Sequence, residues 1–107
     1  MQKTIFQKII DREIPADIVY EDDICIGILD IKPVKPGHTL LVSKKPYPWV
    51  QDVPQNVLHH MMDKAQDIIR DMKSNGADYV RVSIVGVEVP HFHIHLIPQH
   101  FSDHVHN

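Results

Sequence analysis

Histidine occupies every second position in "HFHIHLI", residues 91–97, with Phe92, Ile94 and Leu96 set between and after His91, His93 and His95. On a strand successive side chains alternate faces, and residues two apart lie about 6.5 to 7 Å apart along it. The three imidazoles therefore share one face, and the apolar residues share the other. The apolar face suits packing on helices. The imidazole face needs partners, because polar groups are costly to bury unless hydrogen bonded. A lone strand histidine is ordinarily a satisfied structural residue, but β-propensity gives no reason for three in alternation.

Two chemistries fit the spacing. His-x-His can present two nitrogens to zinc, with His38, a carboxylate or a tail histidine completing the ligand set. A neutral imidazole can also attack phosphorus and leave again when water attacks. That second use needs neighbours that fix the tautomer and donors that meet the phosphoryl oxygens. Spacing alone does not separate them.

The elements that must position this strand can be read around it. Ile5, Phe6, Ile9 and Ile10 give "KTIFQKIIDREIP" the stripe of a short amphipathic helix, which Pro15 ends. "DIVYE" and "ICIGILDI" read as strands separated by a turn at Glu21–Asp23. "KPVKPGH" is a stiff connection in which Gly37 permits an unusual dihedral, and "TLLVSK" is a further strand. After the proline-broken crossover "PYPWVQDVP", where Trp49 is a packing or interface residue, comes one long helix. Val57, Leu58, Met61, Met62, Ala65, Ile68, Ile69 and Met72 form its apolar stripe. Pro54 suits its first turn, and Asn75 with Gly76 stops it. His59 and His60 fall within it and receive no catalytic role; His60 sits between apolar pairs, as at a dimer contact. "YVRVSIV" pairs with the histidine strand as an antiparallel hairpin.

At 107 residues the chain reads as a single domain, residues 1–107, with residues 98–107 a tail that lacks periodicity and is the segment least expected to be ordered. A net charge of -3 with scattered Lys and Arg argues against a nucleic acid polymer as partner. No apolar stretch is long enough to span a bilayer, and no signal peptide is visible, so no membrane partner and a cytoplasmic address are expected. The one cysteine, Cys25, excludes an intrachain disulfide and reads as a packed strand residue.

"HFHIHLI" matches His-φ-His-φ-His-φ-φ, φ being apolar. Together with "TIFQKIIDREIPADIVYEDD" and "ILDIKPVKPGHTLLVSKK", it closely resembles the histidine triad (HIT) family of nucleotide hydrolases and transferases, over nearly the whole chain to Pro98. The resemblance implies an α+β fold: an antiparallel sheet of about five strands, one short N-terminal helix and one long helix. It implies a homodimer, and reaction at the α-phosphate of a purine nucleotide conjugate such as an adenosine phosphoramidate, with no metal or other cofactor. By the same resemblance His93 is the nucleophile that becomes nucleotidylated, and His95 contacts phosphate and leaving group. His91 and His38 orient the nucleophile, and Asp30 accepts from the ribose hydroxyls. Phe6, Ile9, Ile28 and Ile31 line the base pocket, and Gly86 and Val89 belong to the phosphate loop. Phe6 and Ile9 are equally explained as helix core, and Asp30 as a turn residue. Ile28 and Ile31 have opposite strand parity and need a bend to share a pocket.

Two departures matter. Thr4, Gln7 and Pro46 stand where many bacterial members place two cysteines and a histidine for structural zinc, so that zinc is not expected. The loop before the triad, "SIVGVEVPH", is shortened: the glutamine position holds Val87, and Glu88 stands where Ser or Thr is usual. A carboxylate beside a phosphate repels it unless protonated or turned away. Hydrolase or transferase action with weakened turnover is the first reading. The rivals are a nucleotide-binding module with little turnover, and a metal-binding histidine cluster extended by His100, His104 and His106.

Overall fold

The structure, a computed structural model, describes residues 2–103. Five segments rich in β-branched and apolar residues become strands: β1 (Ile18–Glu21), β2 (Cys25–Leu29), β3 (Thr39–Ser43), β4 (Tyr79–Ser83) and β5 (His93–Gln99). They form one antiparallel sheet in the order β1-β2-β3-β5-β4. With α1 (Ile5–Ile10) and α2 (Gln55–Ser74) the chain has the α+β architecture that the resemblance implies. Neither helix is long and apolar enough to cross a membrane.

Register divides the core in two. β3 and β5 pair Val42 with His93, Leu41 with Ile94, Leu40 with His95 and Thr39 with Leu96. Leu41, Ile94, Leu96 and Cys25 pack against Val57, Met61 and Ala65 of α2. Leu40 and Val42 point the other way and join Ile26, Ile28, Phe6 and Ile9 beneath α1. The histidines at 93 and 95 therefore open on the α1 side, while the long helix seals the opposite face.

Several boundaries differ from the sequence reading; β2 stops at Leu29 and β4 at Ser83, each short of the segment read as a strand. α1 ends at Ile10 rather than near Pro15, because a Schellman closure stops it. Arg12 takes a φ of 64°, its N–H donating to the Ile9 carbonyl and that of Glu13 to the Lys8 carbonyl. The histidine strand starts at His93; the preceding Phe92 instead joins two segments, donating to the Tyr47 carbonyl and accepting from Ser43 N–H. Pro98 and Gln99 complete β5 rather than opening a tail, and Phe101–Asp103 form a single 3-10 turn held by the Lys35–Asp103 ion pair. His104 and His106 lie outside the described residues. The C-terminal stop is as read: Asn75 caps α2 and Gly76 follows at a φ of 111°; Pro54 stands at the N-cap, just ahead of the first turn.

Met61 is fully buried between α2 and the sheet. Met61→Ala should lower stability by about 2 to 5 kcal/mol, read from denaturant midpoints. The exposed α2 neighbour Gln66, changed to Ala, should stay within about 0.5 kcal/mol of wild type.

Candidate active site

The α1 face of the sheet holds a cavity of about 520 Å³. Phe6 and Ile9 reach it from α1, Ile28 from β2, and His93 with His95 from β5. Phe6 and Ile9 are core residues and cavity wall at once. Ile28 and Ile31 both line it despite their opposite parity, because β2 ends at Leu29 and the chain bends. Asp30 makes that bend: its Oδ1 accepts from Lys32 N–H at 2.9 Å, an Asx turn. It is therefore turn residue and cavity residue together. Gly86, Glu88 and Val89 close the cavity from the segment before β5. Gly86 has a φ of 86°, and a Cβ there would sit 3.4 Å from the Trp49 ring, so the crossover tryptophan supports this segment from outside.

His91 and His38 do not line the cavity; each is buried behind a histidine that does. His91 is held at both nitrogens. Nε2 lies 2.6 Å from the Ser43 carbonyl and must donate to it. Nδ1 is therefore unprotonated and accepts from the Thr4 hydroxyl at 2.6 Å. Thr4 is itself the N-cap of α1, accepting from Gln7 N–H. The first turn of the helix and the first histidine are thus fixed by one hydroxyl.

The next link sets the chemistry of His93. Its Nδ1 lies 2.6 Å from the His91 carbonyl, which can only accept, so the proton sits on Nδ1. Nε2 keeps its lone pair. His95 has the opposite tautomer. Val34 N–H donates to His38 Nδ1 at 3.1 Å, which puts the His38 proton on Nε2. That proton is directed to His95 Nδ1 at 3.0 Å, with Asp30 Oδ2 at 3.6 Å. His95 therefore carries its proton on Nε2. Among the described residues neither outer Nε2 has a hydrogen-bond partner, and no fully buried side-chain nitrogen or oxygen lacks one. Both Nε2 atoms are accordingly reached from the cavity, one as lone pair and the other as donor.

Burial holds all four imidazoles below the ordinary histidine pKa. At His95 the neighbouring His93 and His38 add to that effect, and Asp30 opposes it. The neutral forms that these tautomers require are thus the forms that the site favours.

Asp30, His38 and His95 could each offer one atom to a metal, all within 4.8 Å of one another. Here, however, the His38–His95 nitrogen pair already shares a proton, which an ion would have to displace. A second group, Asp22, Cys25 and His60, lies on the α2 side. Burial opposes ionisation of Asp22, but hydrogen bonds from Tyr20, His60 and the Ile24 and Cys25 amides outweigh it and hold its pKa below the usual carboxylate range. Burial pushes the Cys25 thiol up to about 12. This Asp22–His60 link, like Thr4–His91, escaped the sequence reading, although a threonine before a helical stripe is a visible N-cap signal.

The HIT domain profile matches residues 11–102. The purine nucleoside phosphoramidase of Escherichia coli is 38% identical over 104 residues, covering 90% of this chain and 87% of its own. The adenylylsulfatase HINT3 of Arabidopsis thaliana is 35% identical over 105 residues, covering 92% of this chain and 53% of its own. The crystal structure of a zinc-bound histidine triad family protein from Mycobacterium smegmatis superposes with a TM-score of 0.88 at 30% identity, covering 94% of this chain and 78% of that one. With the histidine pattern, the sheet order and these likenesses together, the chain belongs to the HIT family, whose relatives here include named hydrolases.

Proposed function

We propose that the chain hydrolyses, or transfers from, nucleotide conjugates at the α-phosphate through a nucleotidyl-histidine intermediate on His93. The observation that carries this reading is the pair of opposite tautomers: a lone pair on His93 Nε2 beside an N–H on His95 Nε2, both open to one cavity. The phosphoramidase named among its relatives supports a P–N substrate, and the adenylylsulfatase supports an adenylyl group on a different leaving atom.

In the first step His93 Nε2 bonds to phosphorus, and the P–N bond breaks with its electron pair on nitrogen. The amine leaves with the proton that a zwitterionic phosphoramidate carries there. In the second step a water oxygen bonds to phosphorus and the pair of the His93–P bond returns to Nε2. The proton released by water ends on the amine. Throughout, the His91 carbonyl holds the Nδ1 proton of His93, which keeps the ring from turning and stabilises the imidazolium formed on attack. His95 Nε2–H donates to a phosphoryl oxygen where charge gathers. The N–H groups of Val87, Glu88 and Val89 donate to no backbone carbonyl among the described residues and are further donors on the segment that lines the cavity. Phe6, Ile9, Ile28 and Ile31 receive the purine, and the Asp30 carboxylate accepts from the ribose.

We also assign β4 to a homodimer contact. It ends the sheet, pairs among the described residues only with β5, and leaves Val82 exposed. A free edge of this kind is ordinarily covered.

Brief mixing with adenosine 5′-phosphoramidate, read by intact-protein mass spectrometry, should show one nucleotidyl adduct on wild type and AMP accumulating. His93→Ala should show no adduct and a loss of about 10³-fold or more in turnover. Equal AMP from His93→Ala would overturn the nucleophile assignment; nucleotide binding without either signal would favour a binding module. Because protonation of His93 removes its lone pair, and burial holds its pKa below 6.5, kcat/KM should be lost only as pH falls below 6.5. An acid limb centred at or above that value would contradict the assignment. Sedimentation should give twice the 12.4 kDa of one chain, and a monomer at micromolar concentration would dismiss the β4 contact.

A further inference from the structure

The titratable side chains that line the cavity are Asp30, Glu88 and the two neutral histidines; among the described residues no lysine or arginine lines it. The Arg81 guanidinium on β4 acts on His38 and His95 electrostatically but does not line it. Asp30 is engaged, by Lys32 N–H and by the approach of His38. Glu88 is not. Among the described residues its carboxylate has neither an ion-pair partner nor a hydrogen-bond donor. It is also the one acidic or basic side chain of an otherwise apolar loop, "IVGVEVP", residues 84–90.

An unpaired carboxylate is an odd neighbour for a phosphoryl group. It repels the anion that the site must hold, and repels a second phosphate more. The conflict disappears if the substrate itself brings a cation to this side of the cavity. We infer that Glu88 is a specificity-determining residue that selects conjugates whose leaving group carries a positive charge, such as an aminoalkyl amine, over neutral or anionic ones. This rests on the reading of the cavity as a nucleotide-conjugate site. It adds to that reading a charge preference, and it excludes conjugates that extend into a second phosphate. Glu88, an exposed residue, lines the same cavity as His93 and His95, at whose Nε2 atoms the reacting phosphorus and its leaving group must sit.

The test uses three adenosine 5′-phosphoramidates with the same three-methylene arm, ending in ammonium (from 1,3-diaminopropane), methyl (from butylamine) or carboxylate (from 4-aminobutyrate). Wild type should favour the ammonium over the carboxylate compound in kcat/KM by on the order of tenfold at low salt, with the methyl compound between. Glu88→Gln should reduce that ratio at least threefold. Comparison of the two enzymes cancels intrinsic differences in leaving-group reactivity. Added salt should compress the wild-type ratio in the same direction, a readout that does not depend on the variant folding. Turnover with a ratio moved neither by Glu88→Gln nor by salt would overturn the inference and leave the hydrolase reading standing. No turnover of any of the three would overturn both.

Discussion

A backbone carbonyl decides which nitrogen of His93 holds a proton, and the rest of the site is built to keep that carbonyl in place. The His91 carbonyl can only accept, so the ring of His93 has one tautomer and one orientation. His91 in turn cannot swing, because its own ring is tied to the Ser43 carbonyl and to Thr4. Thr4 cannot swing without uncapping α1. A parallel line of support runs from Val34 N–H through His38 to His95 and ends in the opposite tautomer. Two neighbouring imidazoles of identical chemistry thus present different faces to the same cavity. The difference comes from backbone groups at the ends of two hydrogen-bond chains.

The sheet makes those chains meet. Antiparallel pairing of β3 with β5 sets Val42 opposite His93 and Leu40 opposite His95, and His38, one residue before β3, falls on the same side. A register slip of one residue would turn both histidines into the α2 core. The continuous apolar packing of Leu41, Ile94 and Leu96 against Met61 and Ala65 makes that slip costly. The long helix therefore contributes no atom to the cavity yet determines which side of the sheet carries it.

This distribution explains what could be read in the sequence. His93 and His95 were legible as chemistry because alternation on a strand is a local pattern; the helical stripe marked Phe6 and Ile9 only as core, and the resemblance alone placed them at a base pocket. Asp30 and His38 were legible only by resemblance, since a turn aspartate and a loop histidine look alike whether or not they serve a site. That Ile31 joins Ile28 depends on the Asx turn at Asp30, which no periodicity encodes. Thr4 could be read as a cap, but its partner His91 is 87 positions away, and nothing local announces the bond. Boundaries failed where backbone geometry overrode composition. Arg12, a residue with no liking for a positive φ, accepts one to close the helix early. Pro98 remains in β5, half-buried, on its pairing with β4.

The loop before the triad carries little side-chain chemistry. Val87 and Val89 offer no side-chain donor, but a loop keeps its amides, and those of Val87 to Val89 lie on the segment that lines the cavity. Donors on a short, apolar, glycine-turned loop are adjustable, whereas His95 Nε2–H is fixed by a central strand and by His38 behind it. Stabilisation of developing charge is most effective from groups that need no reorganisation at the moment of reaction. In the proposed chemistry the constant part of the work therefore falls to the strand, and the loop, with Trp49 beneath Gly86 and a lone carboxylate at Glu88, is left to discriminate among leaving groups.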